Sequence, residues 1–215
     1  MKPTKKGINT ICTHYGEIED TQFKGAVSPL FMSSSYAFDE VDIKRYPRYF
    51  NTPNQEALSK KIAALENTES ALIFGSGMAA ISTSLFAFLK AGDHIVLQNT
   101  LYGGTYNLIN EEFEKFGIEF SFTDGFEPSD FEAKIRSNTK VIYIETPSNP
   151  LLTITNIDAI ASIAKKHNLV SMIDNTFASP INQNPANFGI DVTFNSNGCF
   201  CNSLYNCSHL FFFYD

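Results

Sequence analysis

Residues 71–98 read ALIFGSGMAAISTSLFAFLKAGDHIVLQ, and this stretch decides the predicted fold. The apolar run ALIF ends at the turn Gly75-Ser76-Gly77. A segment with apolar residues three or four apart follows, and the apolar run HIVLQ closes the stretch. Apolar spacing of three or four is typical of a helix that covers a core, whereas a continuously apolar run is typical of a strand buried on both faces. The stretch therefore predicts one strand-helix-strand unit of an α/β protein.

The same alternation extends along the chain in both directions. Upstream, Thr52 and Pro53 suit the start of a helix that continues to about Asn67. Downstream, the predicted strands are EFSF (119–122), VIYI (141–144) and LVSMI (169–173), and the predicted helices are 105–116, 129–135 and 156–167. Strict alternation favours a mainly parallel sheet with helices on both faces, which binds ligands at the carboxyl ends of its strands.

Composition narrows the class of protein. The 215 residues carry 16 Lys and Arg against 23 Asp and Glu, a formal net charge of -7, so no basic surface favours nucleic acid as a partner. The basic start MKPTKKGINT is not followed by an apolar run, and the apolar runs are too short to span a bilayer. We expect a cytoplasmic protein with one main domain, which needs no membrane and acts on a small molecule.

The turn Ser76-Gly77-Met78 is the first candidate site. Glycine lets the backbone turn tightly, and the helix that follows points free N-H groups and a positive dipole end outward, which suits a phosphate. An ordinary strand-to-helix turn without a ligand is the alternative.

Asp174, at the end of the strand LVSMI, is the second candidate site. A buried carboxylate without a partner is costly, so this position predicts a cationic partner such as a protonated ring nitrogen. The alternative is that Asp174 simply caps a helix.

Three further positions suit the same kind of ligand. Tyr102, after HIVLQ, suits stacking on a planar cofactor and proton transfer, although a lone tyrosine is more often core or rim. Asn149 lies in a loop stiffened by two prolines, which is equally typical of a rigid turn without a ligand. In the irregular first fifty residues, Tyr46 and Arg48 offer an aromatic ring and a phosphate-binding fork, although an exposed Arg usually has no special role. Phosphate cradle, stacking ring and buried carboxylate together specify a phosphorylated aromatic cation.

The chain resembles a known family over about residues 8–191. The matching segments are YPRYFNTPNQEALSKKIAALE (46–66), FGSGMAA (74–80), NTLYGGTY (99–106), VIYIETPSNPLL (141–152) and MIDNTFASP (172–180). They are similar to the pyridoxal-phosphate (PLP) enzymes of Cys/Met metabolism: cystathionine γ-synthases, cystathionine lyases, methionine γ-lyases and homoserine sulfhydrylases. The resemblance implies PLP as cofactor, the fold-type I transferase large domain and transsulfuration chemistry of the γ-synthase or γ-lyase type.

The family's cofactor-binding roles carry over to matching residues. By resemblance, Gly77 and Met78 offer N-H groups to the PLP phosphate, Tyr102 stacks on the ring and assists proton transfer as a catalytic residue, and Asn149 approaches the 3′-oxygen. Asp174 holds the ring nitrogen protonated.

The same resemblance places five more residues at a cofactor site. Ser76, Thr176 and Ser196 belong to the chain's own site. Tyr46 and Arg48 reach the phosphate of a neighbouring subunit, which implies a homodimer or homotetramer.

The resemblance fails after Val192. The family continues into a lysine that forms the Schiff base with PLP, but here Ser196 is retained and Cys199 stands at the aligned position, with no Lys or Arg after Lys166. A thiol forms no imine, so we expect the chain as written to be inactive alone. The substrate-gripping C-terminal domain of the family is also missing, so we interpret the chain as truncated.

These departures leave several hypotheses open. We predict an arm at 1–52, an incomplete PLP-binding domain at 53–192 and an aberrant tail at 193–215, produced by a frameshift or gene-model error. The chain is then a fragment of a PLP enzyme, a non-catalytic subunit that binds PLP or a partner, or a non-functional product. Zinc ligation by the tail is a further alternative, but its spacing is not standard and we predict no metal. The tail residues concerned are Cys199, Cys201, Cys207 and His209.

Overall fold

A computed structural model describes residues 7–196 and the backbone of 209–213. The helices are α1 Ile8–His14, α2 Pro53–Glu66, α3 Gly77–Phe88, α4 Gly103–Glu112, α5 Pro128–Glu132, α6 Ile157–His167 and α7 Ser179–Asn182. The strands are β1 Ser70–Phe74, β2 His94–Leu97, β3 Glu119–Phe122, β4 Thr139–Glu145, β5 Val170–Asp174, β6 Val192–Asn195 and β7 His209–Phe213. Short 3-10 helices occupy Pro47–Tyr49, Phe113–Phe116 and Pro185–Phe188. Every strand and helix predicted from the sequence is confirmed, with ends shifted by a few residues.

One sheet organises the described residues, with strand order β1-β7-β6-β5-β4-β2-β3. The neighbours from β3 to β6 pair in parallel, and β7 runs antiparallel to both β1 and β6. In the register, Glu145 of β4 lies beside Asp174 of β5, and Asp174 lies beside Phe194 of β6. The carboxyl ends of the central strands therefore meet at one edge, as predicted.

Alternate residues of each central strand enter two separate cores. Tyr143 and Met172 pack with α3 and α4 in one core, whereas Ile142 and Ile173 pack with α5 and α6 in the other. Because successive strand side chains point to opposite faces, this division shows helices on both faces of the sheet. The α/β class with a mainly parallel sheet is confirmed.

Local sequence explains where α2 begins and ends. The backbone N-H of Thr52 donates to Gln55 Oε1 at 3.2 Å, Pro53 occupies the first turn, and Asn67 ends the helix with a φ of 59°. A backbone amide held by a residue in the first turn satisfies one of the donors that a helix start leaves free. The position of the last turn matters for the site, because it buries Glu66 against the sheet.

The first fifty residues differ from the expectation of loop alone. They contain the helix α1, which has no buried residue and therefore no apolar face to produce a periodic signal. The strand β6 crosses position 193, where we predicted the tail to begin. The division into arm, domain and tail stays a prediction. No helix in the described parts of the chain has the length and apolarity needed to cross a membrane.

Candidate active site

A cavity of about 250 Å³ lies at the carboxyl edge of the sheet. Eight residues predicted from the sequence contribute to its lining: Ser76, Gly77, Met78, Tyr102, Asn149, Asp174, Thr176 and Ser196. They come from α3 and from the segments after β2, β4, β5 and β6, so residues 120 positions apart in sequence share one site. The fold therefore brings the predicted constellation together.

The start of α3 forms one wall of the cavity. Ser76 has an extended backbone, and its hydroxyl accepts a hydrogen bond from the Ala79 N-H at 3.0 Å. This cap leaves the N-H groups at Gly77 and Met78 in the first turn, where a helix has no acceptor of its own for them. The wall offers what an anion needs: backbone donors and the positive end of a helix dipole.

Tyr102 and Met78 approach each other closely at the start of α4. A Cβ added at Gly104 would lie 2.6 Å from Tyr102 Cε1 and 3.0 Å from Met78 Sδ. A side chain at position 104 would therefore displace the Tyr102 ring and the Met78 side chain from their places in this wall. The Tyr102 side chain keeps 47% of its surface exposed, so it forms the open rim of the cavity rather than part of the core.

Asp174 ends β5 at the floor of the cavity and is buried. Burial raises the pKa of its carboxyl above the usual range, and hydrogen bonding by Thr176 opposes the shift only in part. The Thr176 N-H donates to Asp174 Oδ1 at 3.0 Å. Within residues 7–196, no Lys, Arg or His forms an ion pair with Asp174. The carboxyl would ionise readily only beside a cation.

Glu145, beside Asp174, lines the cavity and was not among the predicted site residues. Its Oε2 accepts from the Tyr102 N-H at 2.6 Å and its Oε1 accepts from the Asn149 N-H at 2.8 Å. Burial, together with the charge of Asp174, raises the pKa of Glu145 to about 7. One carboxyl thus holds the backbone of two predicted ligand-contacting residues. An acidic residue closing a buried strand, the signal that marked Asp174, also marks Glu145.

The remaining wall connects β5 to β6. The Ser196 N-H donates to Thr176 Oγ1 at 2.8 Å, which connects two of the hydroxyl-bearing residues predicted for the site. Phe177 and Pro147 add apolar surface that the sequence did not predict. A flat apolar ligand with polar groups at its ends matches this lining.

Two predicted residues lie outside this cavity. Tyr46 and Arg48 are exposed around the 3-10 helix Pro47–Tyr49 and do not contribute to the lining. Their predicted role belongs to a neighbouring subunit's site, so it stays a prediction. Cys199, Cys201 and Cys207 lie outside the described residues, and of His209 only the backbone is described. The described residues contain no group of three side chains placed to hold a metal ion.

The structure is thus an α/β protein whose cavity combines a helix N-terminus, which suits a phosphate, with a buried carboxyl, which suits a cation. The chain matches the sequence model of the Cys/Met metabolism PLP-dependent enzymes over residues 9–203 and belongs to that family. The family prediction is confirmed, and pyridoxal phosphate is the family's cofactor.

Named relatives support the assignment. The chain is 42% identical to the cystathionine β-lyase of Bacillus subtilis, covering 80% of this chain and 45% of the relative. It is 36% identical to L-methionine γ-lyase of Fusobacterium nucleatum, covering 91% and 52%. A solved cystathionine γ-lyase from Lactobacillus plantarum, complexed with L-serine, superimposes with a TM-score of 0.90 at 36% identity, covering 98% of this chain and 55% of the other. The chain spans about half the length of the curated relatives it matches.

Proposed function

We propose that this chain binds pyridoxal phosphate in the cavity at the carboxyl edge of the sheet. The observation that carries the proposal is a buried carboxyl, Asp174, lining the same cavity as the N-terminus of α3. Asp174 lacks a cationic partner among the described residues, and the first turn of α3 has free N-H donors. A protonated ring nitrogen and a phosphate would satisfy both needs in one molecule.

Each lining residue would then hold one part of the cofactor. Gly77 and Met78, with the Ser76 cap, would donate to the phosphate. Asp174 would pair with the ring nitrogen, and Tyr102 at the rim would stack on the ring.

One amide position and two hydroxyl positions would complete the binding site. Asn149 would donate to the 3′-oxygen, while Thr176 and Ser196 would close the wall beside Asp174. Glu145 would keep Tyr102 and Asn149 in place through their backbone N-H groups.

We further propose that the parent reaction is replacement or elimination on sulfur amino acids or activated homoserine. The relatives named as a cystathionine β-lyase, a methionine γ-lyase and a cystathionine γ-lyase support this substrate class. When bound, PLP supplies an electron sink for charge released at the substrate carbons. Tyr102, which is partly exposed at the rim of the cavity, would move a proton there. The finer choice among the three activities depends on residues that contact substrate.

A second candidate function is a non-catalytic subunit that binds PLP or a partner chain. It is favoured by the sequence, which has no Lys or Arg after Lys166 and a cysteine, Cys199, at the position aligned with the family's lysine. No lysine among the described residues lines the cavity. PLP binding would then occur without covalent attachment, and turnover would be absent.

The N-terminal arm supports a proposed homodimer or homotetramer. Several of its large apolar side chains are exposed: Phe23, Val27, Leu30, Met32 and Ile43. An exposed apolar surface of this kind is typical of a protein interface. Assembly would also give Tyr46 and Arg48 a site on the neighbouring subunit.

Titration of the purified chain with PLP tests these proposals. Cofactor absorbance and induced circular dichroism should show saturable binding, and Asp174→Asn should weaken it. Binding followed by turnover of cystathionine or methionine supports the enzyme. Binding without turnover supports the non-catalytic subunit that binds PLP. The absence of saturable binding overturns both PLP-binding proposals and leaves only the subunit that binds a partner chain.

A further inference from the structure

Glu66, the last residue of α2, is a buried carboxyl that the proposed function does not use. It is fully buried, does not contribute to the cavity lining, and comes from a helix remote in sequence from the strand ends. A carboxyl so deeply buried usually either has a full set of partners or has a role that requires it.

Two asparagine amides hold this carboxyl. Glu66 Oε1 accepts from Asn195 Nδ2 at 2.6 Å and from Asn175 Nδ2 at 3.3 Å, whereas Oε2 has no hydrogen-bond partner. Burial raises the pKa of Glu66 to about 7, and the side chains of Asn195, Asn175 and Asn184 oppose that shift. Both asparagines are buried. Glu66 Oε1 is the acceptor described for the Asn195 amide, whereas the Asn175 amide also donates to the Gln183 carbonyl at 3.0 Å.

The two asparagines are chain neighbours of the cavity wall. Asn175 lies between Asp174 and Thr176, and Asn195 directly precedes Ser196. Because the Ser196 N-H also donates to Thr176 Oγ1, the contacts close a ring that starts and ends at Glu66. A side chain outside the cavity is therefore connected to both segments of one wall.

We propose that Glu66 is a positioning residue that orders the wall formed by Asp174, Thr176 and Ser196, acting through Asn175 and Asn195. The consequence for PLP rests on the proposed function; the ordering of the wall does not. Alanine at position 66 would leave the buried Asn195 amide without its acceptor and would remove one of the two acceptors of the Asn175 amide, which loosens both segments. Glutamine would keep one oxygen in place for both amides.

Amide hydrogen exchange of the full chain without PLP tests the ordering directly. In Glu66→Ala, the Thr176 and Ser196 amides should exchange about tenfold faster or more than in the wild type. In Glu66→Gln, they should exchange within about twofold of the wild type. Equal exchange in the alanine variant and the wild type overturns the inference.

A matched control separates positioning from general destabilisation. Ser171, at the amino end of β5, donates from its hydroxyl to Asp191 Oδ2 at 2.6 Å and is equally buried. Ser171→Ala should lower the melting temperature without speeding exchange at Thr176 and Ser196. If Ser171→Ala speeds the exchange of these amides as much as Glu66→Ala does, the effect is global and the inference is wrong.

If Glu66→Ala fails to fold, Asn195→Ala replaces it as the test variant. Asn195→Ala should speed the exchange of the Ser196 amide more than that of the Thr176 amide. Unchanged exchange at Ser196 contradicts the proposal.

PLP titration then connects the wall to the cofactor. Glu66→Ala should weaken PLP binding by about tenfold or more, while Ser171→Ala stays within about threefold of the wild type and Glu66→Gln restores most of the affinity. If the wild type binds no PLP, the proposed function fails and the exchange data alone decide the role of Glu66. Faster exchange in Glu66→Ala with unchanged PLP affinity overturns the connection to the cofactor.

Discussion

Buried polar groups have different surroundings at the two ends of the central strands. At the amino end, the buried His94 ring lies within hydrogen-bond distance of Thr139 Oγ1 at 2.8 Å and Ser121 Oγ at 3.0 Å, and Ser171 pairs with Asp191. At the carboxyl end, burial raises the pKa of Asp174 above its usual range. Burial also raises the pKa values of Glu145 and Glu66, each to about 7. The buried polar side chains at the amino end satisfy one another, whereas Asp174 and Glu145 at the carboxyl end face a cavity. A ligand bound at the carboxyl end would therefore stabilise the folded chain more than a ligand bound at the amino end.

The largest effect should come from Asp174→Asn. The amide cannot pair with a ring cation, and loss of one partner of a buried ion pair should weaken PLP binding by about 100-fold or more. The unfolding temperature without PLP should not fall, because the change removes a costly buried carboxyl. PLP titration and thermal unfolding measure the two quantities, with Ser171→Ala as the amino-end control. Unchanged PLP affinity would remove the contrast between the two ends.

Glu145→Ala should produce the next largest effect. It leaves the backbone N-H groups of Tyr102 and Asn149 without their acceptor, and each lost bond of this kind costs about 1–3 kcal/mol. We expect PLP binding to weaken by about 10- to 100-fold. Glu145→Gln has one acceptor oxygen instead of two and should fall between the wild type and alanine. If glutamine is as damaging as alanine, the charge of Glu145 matters more than the two bonds, and its positioning role is wrong.

The pH dependence of stability should differ in sign between the two ends. Glu66 titrates at about 7 in the folded chain against an ordinary 4.5, so the folded state holds a proton that the unfolded state releases. Its contribution to stability is complete below pH 4.5 and is lost as the pH rises to about 7. The free energy of unfolding of Glu66→Gln, relative to the wild type, should therefore rise across this window by about 1–3 kcal/mol. Denaturant unfolding at several pH values measures it.

His94 provides the opposite sign at the amino end. Burial and the charge of Arg136 lower its pKa from 6.5, so the unfolded state binds a proton that the folded state does not. The contribution of His94 to the free energy of unfolding is present above pH 6.5 and is lost as the pH falls. Relative to the wild type, His94→Asn should gain stability on acidification, whereas Glu66→Gln should gain it as the pH rises. Slopes of the same sign would contradict the assigned pKa directions.

Much of the fold followed from the sequence because its strands are continuously apolar. Runs such as VIYI at 141–144 leave no polar face for solvent, which fixes both strand and helical cover. The strand order did not follow, because β7 inserts antiparallel between β1 and β6 through contacts that no local pattern encodes. The helix α1 was missed because it buries nothing.

The residues of the candidate site that could be predicted are those whose position directly after a strand marks them in the sequence. Asp174 and the Ser76-Gly77-Met78 turn were identified by position after a strand, and the structure places both at one cavity. Glu145 carries the same signal at the end of its strand, but it was not among the predicted site residues. Glu66 carried no signal, since an acidic residue ending a helix is usually exposed and only packing against Asn175 and Asn195 buries it.

The smallest effect should come from substitutions at two helix caps. Both caps lie near the carboxyl edge of the sheet, but only one of them lines the cavity. Ser76 caps α3 by accepting from Ala79 N-H at 3.0 Å, and Asn156 caps α6 by accepting from Ala159 N-H at 3.1 Å. Alanine at either cap should cost about 1 kcal/mol of stability. Only Ser76 lines the cavity, so only Ser76→Ala should weaken binding of PLP and of inorganic phosphate, each by a few-fold. Equal losses of phosphate affinity in Ser76→Ala and Asn156→Ala would show that the caps act through overall stability, and the phosphate would then have to be held away from the start of α3.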